Sequence, residues 1–122
     1  MAEGKHNYNS LADLVTKTLP ILEAIAIDNS LECPTIYSVV FFVEKEIIEK
    51  HLIKISSDIY IGDNVIVIKY TDILPLLIER LSIGYFSLCL IKTTGKLDLQ
   101  KVNQIVRSNL ILILSLIASK FS

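Results

Sequence analysis

The fold of this 122-residue chain is decided by residues 53–70, which have the sequence IKISSDIYIGDNVIVIKY. Apolar and polar residues alternate in its first half, and Gly-Asp-Asn at residues 62–64 supplies a turn before an almost continuous apolar run. Alternation followed by a turn and a second apolar run predicts a β-hairpin. Because the second strand, residues 65–70, is apolar on both faces, we expect it to lie inside a sheet and to be covered on both sides.

Upstream of the hairpin, the sequence predicts a flexible arm and a helix. Residues 1–9 are polar and are interpreted as the arm. The helix is expected to begin at Ser10, because apolar residues then recur at helical spacing as far as residue 25. Pro20 interrupts this pattern, so we expect the helix to kink there, or a second helix to begin with Thr18 as its cap.

Residues 34–52 fit two different structures. Apolar residues from Ile36 to Ile47 follow helical spacing, whereas residues 37–43 are rich in the β-branched and aromatic types that favour a buried strand. Periodicity does not decide between the two. The helix is favoured, because the polar face continues to Lys50 without a turn residue.

Downstream of the hairpin, the sequence predicts a helix and then a strand. Thr71 is expected to cap a helix over residues 72–82, with Pro75 in its first turn and Gly84 just past its end. Residues 85–91 form an apolar run and are expected to be another buried strand.

A long helix is predicted at the C-terminal end. Asp98 is a suitable cap, and the helix is expected to run to about Lys120, with a strand over residues 110–116 as the alternative. The second half of this helix is apolar on all sides, which in water requires burial by the domain or by a partner. Five residues of this half are expected to contribute to the core or to an interface: Leu110, Leu112, Ile113, Leu116 and Ile117.

These elements predict an α/β (α+β) fold, with residues 10–122 as a single domain. A small sheet of three to four strands containing the hairpin is packed by three to four helices, among them the long apolar C-terminal helix. Isoleucine, leucine and valine together account for 46 of the 122 residues, at a net charge of −1, and this excludes a disordered chain.

The sequence predicts a cytoplasmic protein without a membrane segment. The N-terminus lacks the apolar stretch of a signal peptide, and residues 110–114 and 116–118 are far shorter than the ~20 residues that cross a bilayer. Cys33 and Cys89 have neither metal-binding nor redox-motif spacing and are interpreted as small buried hydrophobic residues. Whether they form a disulfide depends on geometry that the sequence does not give.

No catalytic, cofactor-binding or metal-binding residues are predicted. His6 and His51 have no carboxylate or histidine companion at ligand spacing, and no glycine-rich phosphate loop or nucleophile elbow is present in the sequence. A protein without enzyme activity is therefore the favoured interpretation, and no cofactor is expected.

If residues 36–43 are a strand, the element order resembles the core of PD-(D/E)xK nucleases, a family that holds a divalent metal ion on its strands. The resemblance implies Asp58, Asp63 and Lys69 as the candidates for that site. Val67 stands two positions before the lysine, where the family carries an acid, so one metal ligand is missing. A metal-dependent nuclease, active or degenerate, is the alternative function.

The composition resembles that of small proteins from Sulfolobus-type crenarchaea, since isoleucine and leucine dominate, ten of the twelve basic residues are lysine and only two glutamines occur. This thermophile-like composition carries no motif. Residues 63–122 hold seven basic and four acidic residues, but no exposed aromatic residues are interleaved with them, so nucleic acid is not the favoured partner.

The favoured function is an interaction or structural domain that acts through self-association, most simply as a homodimer. A chain of this length buries only about two-thirds of its unfolded surface. Its last helix carries more apolar surface than one small sheet can cover. A module that binds an unidentified small ligand stays open as a further alternative.

Overall fold

Three helices and four strands make up the part of the chain that the computed structural model describes, residues 2–35, 38–45 and 51–121. In chain order they are α1 (Ala2–Asp28), β1 (Val39–Val43), β2 (Ile53–Ser56), β3 (Ile59–Gly62), β4 (Val65–Lys69), α2 (Leu74–Thr94) and α3 (Leu99–Phe121). The predicted α+β class is confirmed, and so are the hairpin and the long apolar C-terminal helix.

The four strands form one mixed sheet in the order β1-β4-β3-β2. Strands β3 and β4 are the predicted hairpin, with Ile61 opposite Ile66, and β1 pairs in parallel with the other side of β4. The turn places Asn64 at φ 57°, a conformation that asparagine tolerates well. Residues 66–68 are buried on both faces, so β4 is the interior strand that the sequence predicted.

Helix α2 lies on one face of the sheet, against β3 and β4. The approach is close at Gly84, where an added Cβ would lie 2.6 Å from Ile66 Cγ2. Helices α1 and α3 pack against α2 and against each other. Helix α2 is therefore the centre of the molecule, and it supplies the largest buried aromatic side chains, Tyr85 and Phe86.

The first correction concerns the N-terminal region. Residues 2–9, expected as an arm, form the first turns of α1, and the helix continues through Pro20 without a second start at Thr18. Proline removes one backbone hydrogen bond, but burial of Leu19 and Leu22 on the inner face of α1 stabilises the helix around it.

The second correction concerns residues 34–52, where the favoured helix is wrong. Residues 39–43 form strand β1, so the β-forming residue types are decisive there. Pairing with β4 supplies hydrogen-bond partners for the backbone N–H and C=O groups of a segment whose side chains would also suit a helix. Residues 36–37 and 46–50 of the expected helix lie outside the described residues.

The third correction concerns α2. The expected helix over residues 72–82 and the expected strand over residues 85–91 are one continuous helix, with Gly84 in its interior. A continuous apolar run does not distinguish a strand from a buried helix, and here contact with the sheet demands a glycine inside the helix. Thr71 is not the cap: its hydroxyl accepts a hydrogen bond from the Ile73 N–H at 3.2 Å, while Pro75 lies in the first turn as predicted.

Helix α3 begins as the sequence predicted. The Lys101 N–H donates to Asp98 Oδ1 at 3.2 Å, which makes Asp98 the cap. The helix passes through residues 110–116, so the alternative strand there is excluded.

Candidate interaction surfaces

The five residues predicted on the last helix divide into two groups. Ile113 and Ile117 are fully buried against α1 and α2, and Leu110 is half-buried beside them. Leu112 and Leu116 keep 49% and 40% of their surface exposed. Two of the five are therefore core residues, one lies at the edge of the core, and two are available for an interface.

The most exposed large apolar side chain in the described part of α3 is Ile111, at 83%, and it is not among the five predicted residues. It could have been found from the sequence. Once Asp98 fixes the start of the helix and Ile113 is placed in the core, a residue two positions earlier points away from that core, because two residues span 200° of helical rotation.

Six exposed residues form a continuous stripe along the C-terminal half of α3, here called the α3 outer stripe. They recur at intervals of three and four residues, which places them on one side of the helix. Three of its side chains are large and apolar and three are serines: Ser108, Ile111, Leu112, Ser115, Leu116 and Ser119.

The α3 outer stripe is uncharged over a length of about 17 Å. The sequence has no charged residue between Arg107 and Lys120. The first half of the same helix has a different surface, a shallow polar depression lined by Gln100, Asn103, Gln104, Arg107 and Ser108. The outer surface of α3 is thus polar near its start and apolar near its end.

Two helices in the described part of the chain are long and apolar enough to cross a membrane, judged by length and composition: Leu74–Thr94 and Leu99–Ser119. Neither helix is one uninterrupted apolar run, so the lengths of such runs in the sequence do not reveal these two helices. The first helix is mostly buried in the fold, as core helices of soluble proteins are, and the second is mostly exposed. Length and composition alone are weak evidence for a membrane span.

The structure does not bring together the three nuclease candidates. Asp58 and Lys69 are neighbours, since the Lys69 N–H donates to the Asp58 carbonyl at 2.8 Å and Arg80 contacts both residues. Asp63 lies at the opposite end of β3, about 16 Å away by strand geometry. Residues 85–91 are helical, so the element order that carried the resemblance does not form.

No group of three metal-ligating side chains occurs within residues 11–35, 38–45 and 51–119. Lys92 borders two open clefts. One, of about 410 Å³, lies between the end of α2, residues 34–35 and the β3–β4 turn, and the other, of about 400 Å³, lies between Lys92, the end of α1 and residues 31–35. Its ammonium donates to the Cys33 carbonyl at 3.0 Å, so it already has a partner there.

Cys33 and Cys89 form a disulfide, with their Cα atoms 4.3 Å apart. The interpretation of both as free hydrophobic residues is corrected, although Cys89 is fully buried. The bond ties the segment after α1 to the C-terminal half of α2, and Thr93 reinforces it by accepting a hydrogen bond from the Glu32 N–H at 2.7 Å. Disulfides persist in oxidising compartments and in intracellular proteins of hyperthermophilic archaea.

Comparison with known protein families, curated proteins and solved structures finds no match to this chain. Function is therefore inferred from the exposed surfaces of the molecule, above all from the α3 outer stripe.

Proposed function

We propose that this protein is a non-enzymatic self-association domain in which two copies pack through the α3 outer stripe. The observation that carries the proposal is the exposure of Ile111, Leu112 and Leu116 on a helix face without charges. Contiguous exposed apolar surface rimmed by polar residues is typical of protein interaction sites.

A second copy fits this stripe because its spacing is palindromic. In an antiparallel pair centred between Ile113 and Leu114, Leu112 lies opposite Ser115 of the other copy, and Ile111 lies opposite Leu116. At Leu112 a large side chain then meets a small one, which lets the two helices approach closely, and at Ile111 two large apolar side chains pack against each other. Two uncharged faces also meet without the repulsion that like charges create at a two-fold axis.

The stripe is small for a stable dimer. Specific interfaces usually involve about 20–30 residues on each side, so six residues predict an affinity in the micromolar range rather than the nanomolar range. Ser108 belongs both to the stripe and to the polar depression, and the other residues that line the depression lie beyond the overlap of the two stripes and remain in water.

Sedimentation equilibrium from about 1 to about 300 μM tests the proposal. The wild-type chain is expected to shift from monomer to dimer, and Leu112→Glu is expected to stay monomeric because it places two carboxylates across the two-fold axis. Asn103→Glu is the matched control: it adds the same charge to the same helix, outside the stripe, and should dimerise like wild type.

Thermal unfolding of each variant separates loss of association from loss of folding, since Leu112 is half exposed and its replacement should leave the monomer folded. A wild-type mass of one chain at the highest concentration contradicts the proposal. So does a dimer that survives Leu112→Glu. Binding of monomeric protein to phospholipid vesicles, lost in Leu112→Glu, would assign the stripe to a membrane surface instead.

A further inference from the structure

Strand β1 is an edge strand whose outer side faces no other strand of the described sheet. The Val39 N–H donates to the Asn64 carbonyl at 3.1 Å, and the Tyr70 N–H donates to the Val43 carbonyl at 2.7 Å. Residues 39 and 43 therefore direct their backbone towards β4. By strand alternation, the N–H and C=O groups of Val40 and Phe42 point to the outer edge.

A groove of about 560 Å³ runs between this edge and helix α1. Four of its lining residues come from α1, among them Ala12 and Val15, and the other four are residues 39–42 of β1. None of these eight residues is charged. Val15, Val40 and Phe42 are only half-buried, so α1 does not close over β1.

We propose that this groove binds an extended, uncharged segment of a partner protein by strand addition to β1. The segment would continue the sheet by exchanging hydrogen bonds with the backbone of Val40 and Phe42. Its side chains on the helix side would be apolar and would fill the space against α1. Backbone pairing supplies affinity in this mode, and the groove selects the alternate side chains.

The uncharged lining of the groove and the position of α1 beside it favour an isolated extended segment over a second copy of this chain. A charged side chain entering the groove would lose water without gaining a partner, so the segment carries neutral residues at its groove-facing positions. A second copy that paired antiparallel through β1, about a two-fold axis perpendicular to the sheet, would bring its own α1 to the same side of the extended sheet, where the first α1 already borders the groove. A segment without an attached helix avoids that overlap.

The probe is a fluorescein-labelled, end-capped heptapeptide of alternating valine and threonine, titrated into the full chain and followed by fluorescence anisotropy. We expect saturable binding below about 1 mM. A copy of the peptide N-methylated on the amides that face β1 keeps the side chains but cannot donate to the edge, and it should bind at least about tenfold more weakly.

Two variants of α1 locate the binding site. Ala12→Leu fills the groove from an exposed position and should weaken peptide binding by about tenfold or more. Ala24→Leu makes the same change at another exposed position of the same helix, away from the groove, and should bind like wild type. The Leu112→Glu variant should also bind like wild type, because the α3 outer stripe is a different surface.

Amide hydrogen exchange gives a residue-level readout. Peptide binding should slow exchange at Val40 and Phe42 and leave the already bonded Val39 unchanged. Absence of binding, or binding that neither N-methylation nor Ala12→Leu weakens, overturns the proposal. Slow exchange at Val40 and Phe42 in peptide-free protein, together with a dimer that Ala12→Leu dissociates, also overturns it and assigns the edge to a second copy.

Discussion

Helices α2 and α3 have nearly the same length, 21 and 23 residues, and both are apolar enough to be buried. Helix α2 is enclosed by the sheet on one side and by α1 and α3 on the other. Helix α3 packs mainly on α1 and α2 and leaves Ile111 in solvent. The amount of apolar surface in a helix therefore does not set how much of it is buried; the layer in which the helix lies does.

The two helices also begin differently. Asp98 caps α3 through a side-chain hydrogen bond, whereas Ile73 at the start of α2 makes none among the described residues. Helix α3 has a side-chain cap at its start, whereas α2 has none there and depends on burial of its own residues Leu77, Ile78 and Leu81. The comparison predicts that changes in α2 act on stability and that changes in the outer face of α3 act on association.

The largest contrast is expected from one substitution made in each helix. Leu81→Ala removes a fully buried side chain from α2 and should lower the free energy of unfolding by about 2–5 kcal/mol. Leu112→Ala removes a half-exposed side chain from α3 and should cost less than about 1 kcal/mol in the monomer. Urea unfolding followed by circular dichroism, at a concentration where the chain is monomeric, measures both. Equal losses of unfolding free energy in the two variants would contradict the assignment of stability to α2 and of association to the outer face of α3.

Reduction of the Cys33–Cys89 disulfide is expected to have the next largest effect. The bond joins residues 56 positions apart and restricts the unfolded chain, so its loss should cost about 2–4 kcal/mol. Urea unfolding with and without a phosphine reductant measures the difference. The Cys33→Ala, Cys89→Ala double variant is the control and should not respond to the reductant. Identical unfolding of oxidised and reduced wild type would show that the bond does not anchor α2.

Gly84→Ala tests the close contact between α2 and the sheet. The new methyl group would meet Ile66 Cγ2, so overpacking should cost about 1–3 kcal/mol, offset by up to about 1 kcal/mol of helix propensity. The net loss should appear in the urea midpoint. In an Ile66→Ala background the same change should be neutral or stabilising. A loss of equal size in both backgrounds would mean that the contact is not its cause.

The smallest effect is expected at the helix starts. Asp98→Ala removes the cap of α3 and should cost about 1 kcal/mol. Asp72→Ala, just before α2, removes no cap and should change stability by less than about 0.5 kcal/mol. Thermal unfolding of the two variants side by side measures the difference. If Asp72→Ala cost as much as Asp98→Ala, α2 would also depend on a local start signal.

Much of the fold could be predicted wherever the signal is local. The turn at residues 62–64, the cap at Asp98 and the position of Pro75 in a first turn depend on neighbouring residues, and all three are found. Two local signals failed, since Thr71 does not cap α2 and Gly84 does not end it, and residues 2–9 are helical rather than an arm. The other failures lie in apolar runs without turn residues, residues 39–43 and 85–91. Such a run suits a strand or a buried helix equally well, so distant partners decide its conformation.

The candidate surfaces were predictable only in part. Leu112 and Leu116 were selected because the last helix is apolar all round, but that property does not separate them from the buried Ile113 and Ile117. The groove beside β1 gave no sequence signal, because α1 and β1 meet only in three dimensions.

By itself, the sequence determined the element types with local signals, the excess of apolar surface and the absence of charge between Arg107 and Lys120. Only the tertiary structure decided that α2 is enclosed, that α3 is the outer helix, that Cys33 meets Cys89 and that β1 lies at an edge. The physical reason is that caps and turns are formed by hydrogen bonds between near neighbours, whereas burial and strand pairing depend on residues far apart in the chain.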